Sequence, residues 1–328
     1  MKVIISIFFL TNINAQLALP TFQGVHKSHS VEATSGTLTF TNCSATGNNG
    51  PIQSQVNSTY SGTSLDGDVT INTQGIQEWT VPYTATYTIK VWGAEGGAGS
   101  GHNSTIPGKG AYMIADFSLS SGAVLKIIVG QQPTGVASGG GGGSFVVQSN
   151  NTALIIAGGG GGAPGNCCSS AQSGGNGTIN NDGTDGSGNS SCSDGSGGTG
   201  GNGGTGGSRL AGGGGGGFSG DGGNGTAAHG QSIAGTGGKS FLNGGAGGTG
   251  NSSSYNGGFG GGGGAGYYGN YNGGAGGGGG GYSGGGGSCG QNNWGAGGGG
   301  GSYSASNTNT SSSASGTWEG HGKVVITY

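Results

Sequence analysis

After Trp92 this chain is dominated by a residue that has no side chain. Seven of its 93 glycines precede Gly93, and the other 86 fall in residues 93–328. The stretch GGFGGGGGAGYYGNYNGGAGGGGGGYSGGGG at 257–287 offers no aliphatic face, no charge and no proline. Ordering a residue costs about 1–2 kcal/mol of backbone entropy, and glycine loses the most. Such a tract folds only if its own backbone supplies the compensation. Without β-carbons, consecutive glycines can adopt an extended helix of the polyproline II shape, three residues per turn, whose N–H and C=O groups all point outward. Several such helices side by side can bond to one another in every direction, helped by weak Cα–H···O contacts. The run Gly212 to Gly217 would span roughly 19 Å at this rise, about the length of an ordinary strand. The residues therefore predict a bundle of short polyglycine II helices. Collagen uses a related geometry but requires glycine at every third place and abundant proline, and this chain has 6 Pro.

Strand-like segments flank and interrupt the glycine. SGTLTFTN, GDVTINTQ and IQEWTVPYTATYTIKVWGA lie before residue 95, and AYMIADFSL (111–119), AVLKIIVG (123–130), SFVVQ (144–148), ALIIA (153–157) and KVVITY (323–328) follow. They are rich in β-branched residues, and in the third of the eight Tyr87, Ile89 and Val91 share one face. No helical period of useful length is apparent. Gly158 to Gly162 leave ALIIA, and the glycine tract separates it from the terminal strand. If that strand pairs with earlier ones, the tract is an insertion whose ends meet.

Only 6% of residues are charged, and the formal net charge is −3. Eight Lys and Arg scattered over the chain form no basic patch, so a nucleic-acid partner is not expected. MKVIISIFFLTNINAQ combines Lys2, an apolar run from Val3 to Leu10 and small residues before Gln16, which predicts a signal peptide over 1–15. No later segment approaches the length of a membrane span, so a secreted product is expected, free or held at the cell surface. Nine N-x-[ST] sequons suit this route: Asn42, Asn57, Asn103, Asn150, Asn176, Asn189, Asn224, Asn251 and Asn309. Five cysteines, in an exported chain, read as disulfide partners. Neighbouring Cys167 and Cys168 are poorly placed to bridge each other, so the expectation is that one reaches Cys192 and the other Cys289. Cys43 is left free, or available to link chains into a disulfide-bonded oligomer.

Taken together and in order, YTIKVWGAEGGAG, GAYMIADFSLSSGAVLKIIVGQQ, GGGGGSFVV, ALIIAGGGGGA, GGFGGGGGAG, GGGGGGYSGG and GHGKVVITY resemble the extracellular glycine-rich domain of the anaplastic lymphoma kinase and leukocyte tyrosine kinase receptors. The resemblance covers about residues 83–328. It implies a jelly-roll β-sandwich of the tumour-necrosis-factor kind with an inserted bundle of polyglycine helices, serving as a ligand-binding receptor module. The fold expectation is thus all-β. The expected divisions are a signal peptide (1–15), a β-rich segment (16–78) and a glycine-rich domain (79–328), with sandwich strands in 79–165 and 318–328 and the polyglycine insertion at 166–317. Neither a membrane-spanning helix nor a kinase segment is apparent, which departs from the receptors.

Several motifs are products of composition. GTGGKS (235–240) lacks the first glycine of a phosphate loop, and the nucleophile-elbow matches around Ser283 and Ser288 follow no apolar strand. The five histidines show no metal spacing, and Asp182, Asp185, Asp194 and Asp221 fit turns better than a calcium repeat. No enzyme, cofactor or metal is expected. Aromatic residues within the tract include Phe218, Phe241, Tyr255, Phe259, Tyr282 and Tyr303, which suit a seam between bundle and sandwich. Tyr267, Tyr268, Tyr271 and Trp294 are the candidates for contact with an extracellular protein or glycan ligand. The alternative is a structural or adhesive matrix protein.

Overall fold

A computed structural model describes residues 35–99, 105–134, 138–165, 172–188, 192–227, 232–268, 274–290 and 295–328. The expected signal peptide lies outside them. Alternating residues build β1 (Thr37–Phe40), with Leu38 and Phe40 turned inward. The helix α1 (Gln53–Tyr60) follows, then β2 (Val69–Thr73), β3 (Ile76–Thr80), β4 (Ala85–Trp92), β5 (Gly110–Leu119), β6 (Val124–Ile128), β7 (Ser144–Gln148) and β8 (Ala153–Ala157). Two-residue strands β9 (Ser232–Ile233), β10 (Tyr267–Tyr268) and β11 (Tyr303–Ser304) punctuate the glycine region, and β12 (Ala314–Trp318) and β13 (Lys323–Thr327) end the order.

The helix corrects the expectation of a chain without one. QSQVNSTY is nearly all polar, so its apolar signal is confined to Val56 and Tyr60, four apart and buried on one face. Tertiary bonds hold it: the Gln53 side chain donates to Val69 O (3.0 Å) and accepts from Ile71 N (2.7 Å), tying α1 to β2.

One sheet has five strands in the order β1-β13-β4-β5-β12, the other six in the order β11-β8-β7-β6-β3-β2, and all pairs are antiparallel. Their inner faces meet in one core that includes Phe40, Trp79, Tyr87, Ile89, Leu125, Ile127 and Ile155, a β-sandwich. Residues 33–328 cluster as one compact unit, and strands from 37–80 share sheets with those from 85–157 and 314–327. The expected division at residue 78 falls within β3.

Strands β7 and β8 are buried on both faces. The second face of the six-stranded sheet contributes Ile76, Ile128, Phe145, Val147 and Ile156 to a separate cluster with Phe241 and Phe259 of the glycine region, and Phe218, Tyr282 and Tyr303 pack at its margin. The aromatics thus supply the side chains that polyglycine lacks, and they fasten the glycine layer to the sandwich.

Within that layer the backbone bonds follow a fixed rhythm. The amides of Gly212 and Gly215 donate to Ser288 O (2.9 Å) and Gly285 O (2.8 Å), those of Gly213 and Gly216 to Gly264 O (2.9 Å) and Gly261 O (2.7 Å), and those of Gly214 and Gly217 to Gly223 O (2.9 Å) and Gly220 O (2.8 Å). Each neighbouring segment is met again every third residue. The segment from Gly276 behaves likewise, with Gly276, Gly279 and Tyr282 donating to Gly295, Gly298 and Gly301. Glycine is required here for space: a β-carbon at Gly215 would overlap the carbonyl oxygen of Gly279, and one at Gly278 that of Gly285.

Candidate functional site

Tyr267 and Tyr268 form β10, whose antiparallel partner is β9, with Tyr267 opposite Ile233 and Tyr268 opposite Ser232. The Tyr267 ring is half-buried and lies edge-on to Tyr255, centroids 5.0 Å apart at 69°. Burial, with Tyr267 adding to it, pushes the Tyr255 hydroxyl above its usual range. Ile233 is 43% exposed opposite this pair. A small aromatic and aliphatic patch results on a two-stranded ribbon. Tyr271 and Trp294 lie outside the described residues.

The structure corrects the cysteine expectation: Cys192 pairs with Cys289, Cα atoms 6.0 Å apart across 97 residues. Spacing along the chain could not show this, because the glycine layer brings the segments together. Asp194, two residues after Cys192, accepts the Cys289 amide at 2.8 Å. Cys167 and Cys168 lie outside the described residues. Cys43 is free and fully buried, its thiol pushed up by that burial. It packs into a polar knot in which Tyr60 Oη donates to Gln77 Oε1 (2.6 Å) and Gln77 Nε2 to Thr41 O (2.8 Å). A thiol so enclosed cannot reach a second chain without local unfolding, which removes the expected route to a disulfide-linked oligomer.

Among the sequons, Asn57, Asn150, Asn176, Asn224, Asn251 and Asn309 are exposed. Asn42 is half-buried and its Nδ2 donates to Ala45 O at 2.6 Å, so the nitrogen that would carry a glycan already closes a turn. Asn103 and Asn189 lie outside the described residues. The polar side chains that suggested chemistry act as backbone fasteners. Ser283 accepts from Gly201 N (3.1 Å), Ser288 donates to Gly295 O (2.6 Å), and both are fully buried. Asp185 accepts from Gly197 N at 2.8 Å. For Asp221, burial alone would raise the carboxyl, but bonds from Ser240 N, Asn243 and Lys239 outweigh it and hold the group at about 2. No group of three or more His, Cys, Asp or Glu side chains that could hold a metal occurs among the described residues.

A second aromatic cluster escaped the sequence reading. On the outer face of the five-stranded sheet Trp92 stacks on Tyr112 (4.8 Å), tilts toward Trp318 (5.6 Å), and the Lys323 ammonium sits 4.4 Å and 4.6 Å from the two indole centroids. Its members come from four strands, so only the sheet order reveals it. Beside it, Glu95 accepts from Gly320 N and Gln132 Nε2 (both 3.0 Å), and His321 Nδ1 accepts from Gln132 N (3.0 Å). Burial raises the Glu95 carboxyl and lowers the His321 imidazole. His321 itself is half-buried.

No family model matches the chain. Over 103 residues it is 38% identical to the leukocyte tyrosine kinase receptor of Mus musculus, a stretch that makes up 30% of this chain and 11% of the receptor. The likeness thus spans about a tenth of the receptor's length and supports a receptor-related region here. An all-β sandwich fits no kinase domain. The receptor relative and the disulfide fit an extracellular setting. Among the described residues no helix is long and apolar enough to cross a membrane.

Proposed function

We propose that this chain is an extracellular, receptor-like ligand-binding module. The likeness to the leukocyte tyrosine kinase receptor carries the reading. In this reading residues 1–15 direct export and the exposed sequons carry glycans. The pairing of the first strand with the last, β1 with β13, supports a jelly-roll sandwich. The three-residue recurrence of hydrogen-bond partners is what threefold extended helices give, and it supports polyglycine II helices as the substance of the inserted layer.

Such a layer is stiff, so side chains at its margin are held in place before a ligand arrives. Preorganisation of that kind favours affinity, because little ordering is left to be done on binding. Tyr267, Tyr268, Tyr271 and Trp294 are the proposed contacts for a protein or glycan ligand, with the Tyr255 ring edge-on to that of Tyr267. The test is an array of extracellular proteins and glycans probed with the secreted, glycosylated chain. Saturable binding that Tyr267→Ala with Tyr271→Ala weakens supports the reading, and the absence of saturable binding to any member overturns it. A matrix role through Cys43 cross-links is disfavoured by that thiol's burial, and Cys43→Ser is expected to leave the pattern on a non-reducing gel unchanged.

A further inference from the structure

Away from the glycine layer, the edge strands of the two sheets border a shared opening. Leu38 of β1, Thr70 of β2 and Trp79 of β3 all line one cavity of about 510 Å³. A smaller one of about 190 Å³ shares Leu38 and Ser64 with it and runs toward Tyr60 and Leu65. Two tyrosines from distant parts of the chain form one wall. Tyr83 and Tyr328 are half-buried, with ring centroids 6.0 Å apart at 46°.

The backbones that carry both rings are tied into the sandwich. The Tyr328 backbone is clipped to Gly36 by two bonds, Gly36 N to Tyr328 O (2.8 Å) and Tyr328 N to Gly36 O (3.1 Å). Its ring rests 5.2 Å from that of Tyr87, whose hydroxyl in turn donates to the Tyr83 carbonyl at 2.8 Å. Exposed Ser64, Asp68 and Thr70 face solvent along the lining. Among the described residues no Lys, Arg or His lines the cavity.

This chemistry selects a ligand class. A phosphate, sulfate or uronate would meet the Asp68 carboxylate, and no described lining residue is a cation that would offset the repulsion. A wholly apolar ligand would displace water from the hydroxyls and the carboxylate and offer no hydrogen bond in return. A neutral sugar ring has what is needed: a C–H face to lie on an aromatic ring and hydroxyls that both donate and accept. The volume falls within the range of small-ligand pockets, roughly 300–1,000 Å³.

We propose that this cavity binds a neutral saccharide, with a sugar ring against Tyr83 and Tyr328 and its hydroxyls on Asp68, Ser64 and Thr70. The site is separate from the patch around Tyr267 and goes beyond the receptor reading. Either can fail alone, because variants at Tyr267 leave this cavity intact.

Calorimetric titration of the full chain with methyl glycosides of mannose, galactose, glucose and N-acetylglucosamine, and with glucuronate as the anionic arm, tests it. At least one neutral glycoside is expected to saturate at one site per chain. Tyr83→Ala and Asp68→Asn are each expected to weaken that binding about tenfold or more, which corresponds to roughly 1.4 kcal/mol. Asp68 is exposed, so its variant keeps the test valid if Tyr83→Ala folds poorly. Failure of every neutral glycoside at about 10 mM, well above a weak Kd of roughly 1 mM, would overturn the proposal. So would tighter binding of glucuronate, or neutral binding that neither variant alters.

Discussion

The sandwich and the glycine layer are both densely packed, but by opposite means. Between the sheets, Phe40, Trp79 and Tyr87 meet edge to face at 6.2 and 6.3 Å and side chains fill the space. In the glycine layer, carbonyl oxygens occupy the place where β-carbons would be. Removing a methylene harms the first region, whereas adding a methyl harms the second. Stability in the sandwich rests mainly on apolar area taken from water. The glycine layer has little such area, so a hydrogen bond for nearly every amide and closeness of backbone must offset the entropy of ordering it.

The sharpest way to break this comparison is Gly215→Ala. The added carbon meets the backbone of Gly279, which cannot swing aside as a side chain can. A loss beyond about 4–5 kcal/mol is expected, read as failure of secretion or of a cooperative melt. A variant that melts like the parent would show that the layer is not close-packed. Next in size, Phe259→Ala empties the seam between layer and sandwich, and a cost of about 3–5 kcal/mol is expected in denaturant titration. Cys289→Ser opens a loop of 97 residues within the glycine region, for which roughly 2–4 kcal/mol is expected. Hydrogen exchange should then quicken at Gly212 to Gly217 more than in β4, since the bridge lies on the layer's side.

Gly62→Ala sharpens the contrast by its mildness. That glycine has φ +72° but open space around the missing carbon, so only the backbone conformation opposes the change, about 1–2 kcal/mol. The smallest effect concerns acid. The Asp221 carboxyl is lower in the folded chain, at about 2, than its ordinary 3.8, so its contribution is complete above that ordinary value and is lost as pH falls through about 2. Asp221→Asn is expected to flatten the acid limb of a melting-temperature profile between about pH 4 and 2, and an unchanged limb would argue against the bonds from Ser240, Asn243 and Lys239.

Much of the sandwich was legible beforehand. Period-two alternation put Tyr87, Ile89 and Val91 on one buried face, and ALIIA and SFVVQ occupy β8 and β7 residue for residue. The helix α1 was not legible, because its anchors to Val69 and Ile71 are tertiary bonds from a polar side chain. Of the candidate site, Tyr267 was named from the sequence, but its partners Tyr255 and Ile233 were not read as a patch with it. Asp68, Tyr83 and Tyr328 were missed as a group, since nothing in three separate stretches signals that β1, β2 and the last residue border one opening.

Composition alone required that a region with so little side chain be held by backbone, because glycine offers almost nothing else to hold it with, and it set the strands through the alternation of their residues. Which segments lie beside which was decided only in three dimensions. The three-residue recurrence lets any glycine run accept several neighbours in either direction, so a run of identical residues carries no address. The address comes from the few side chains at the seam, Phe241 and Phe259 against Phe145 and Ile156, and from the bridge between Cys192 and Cys289, where contacts join residues far apart in the chain.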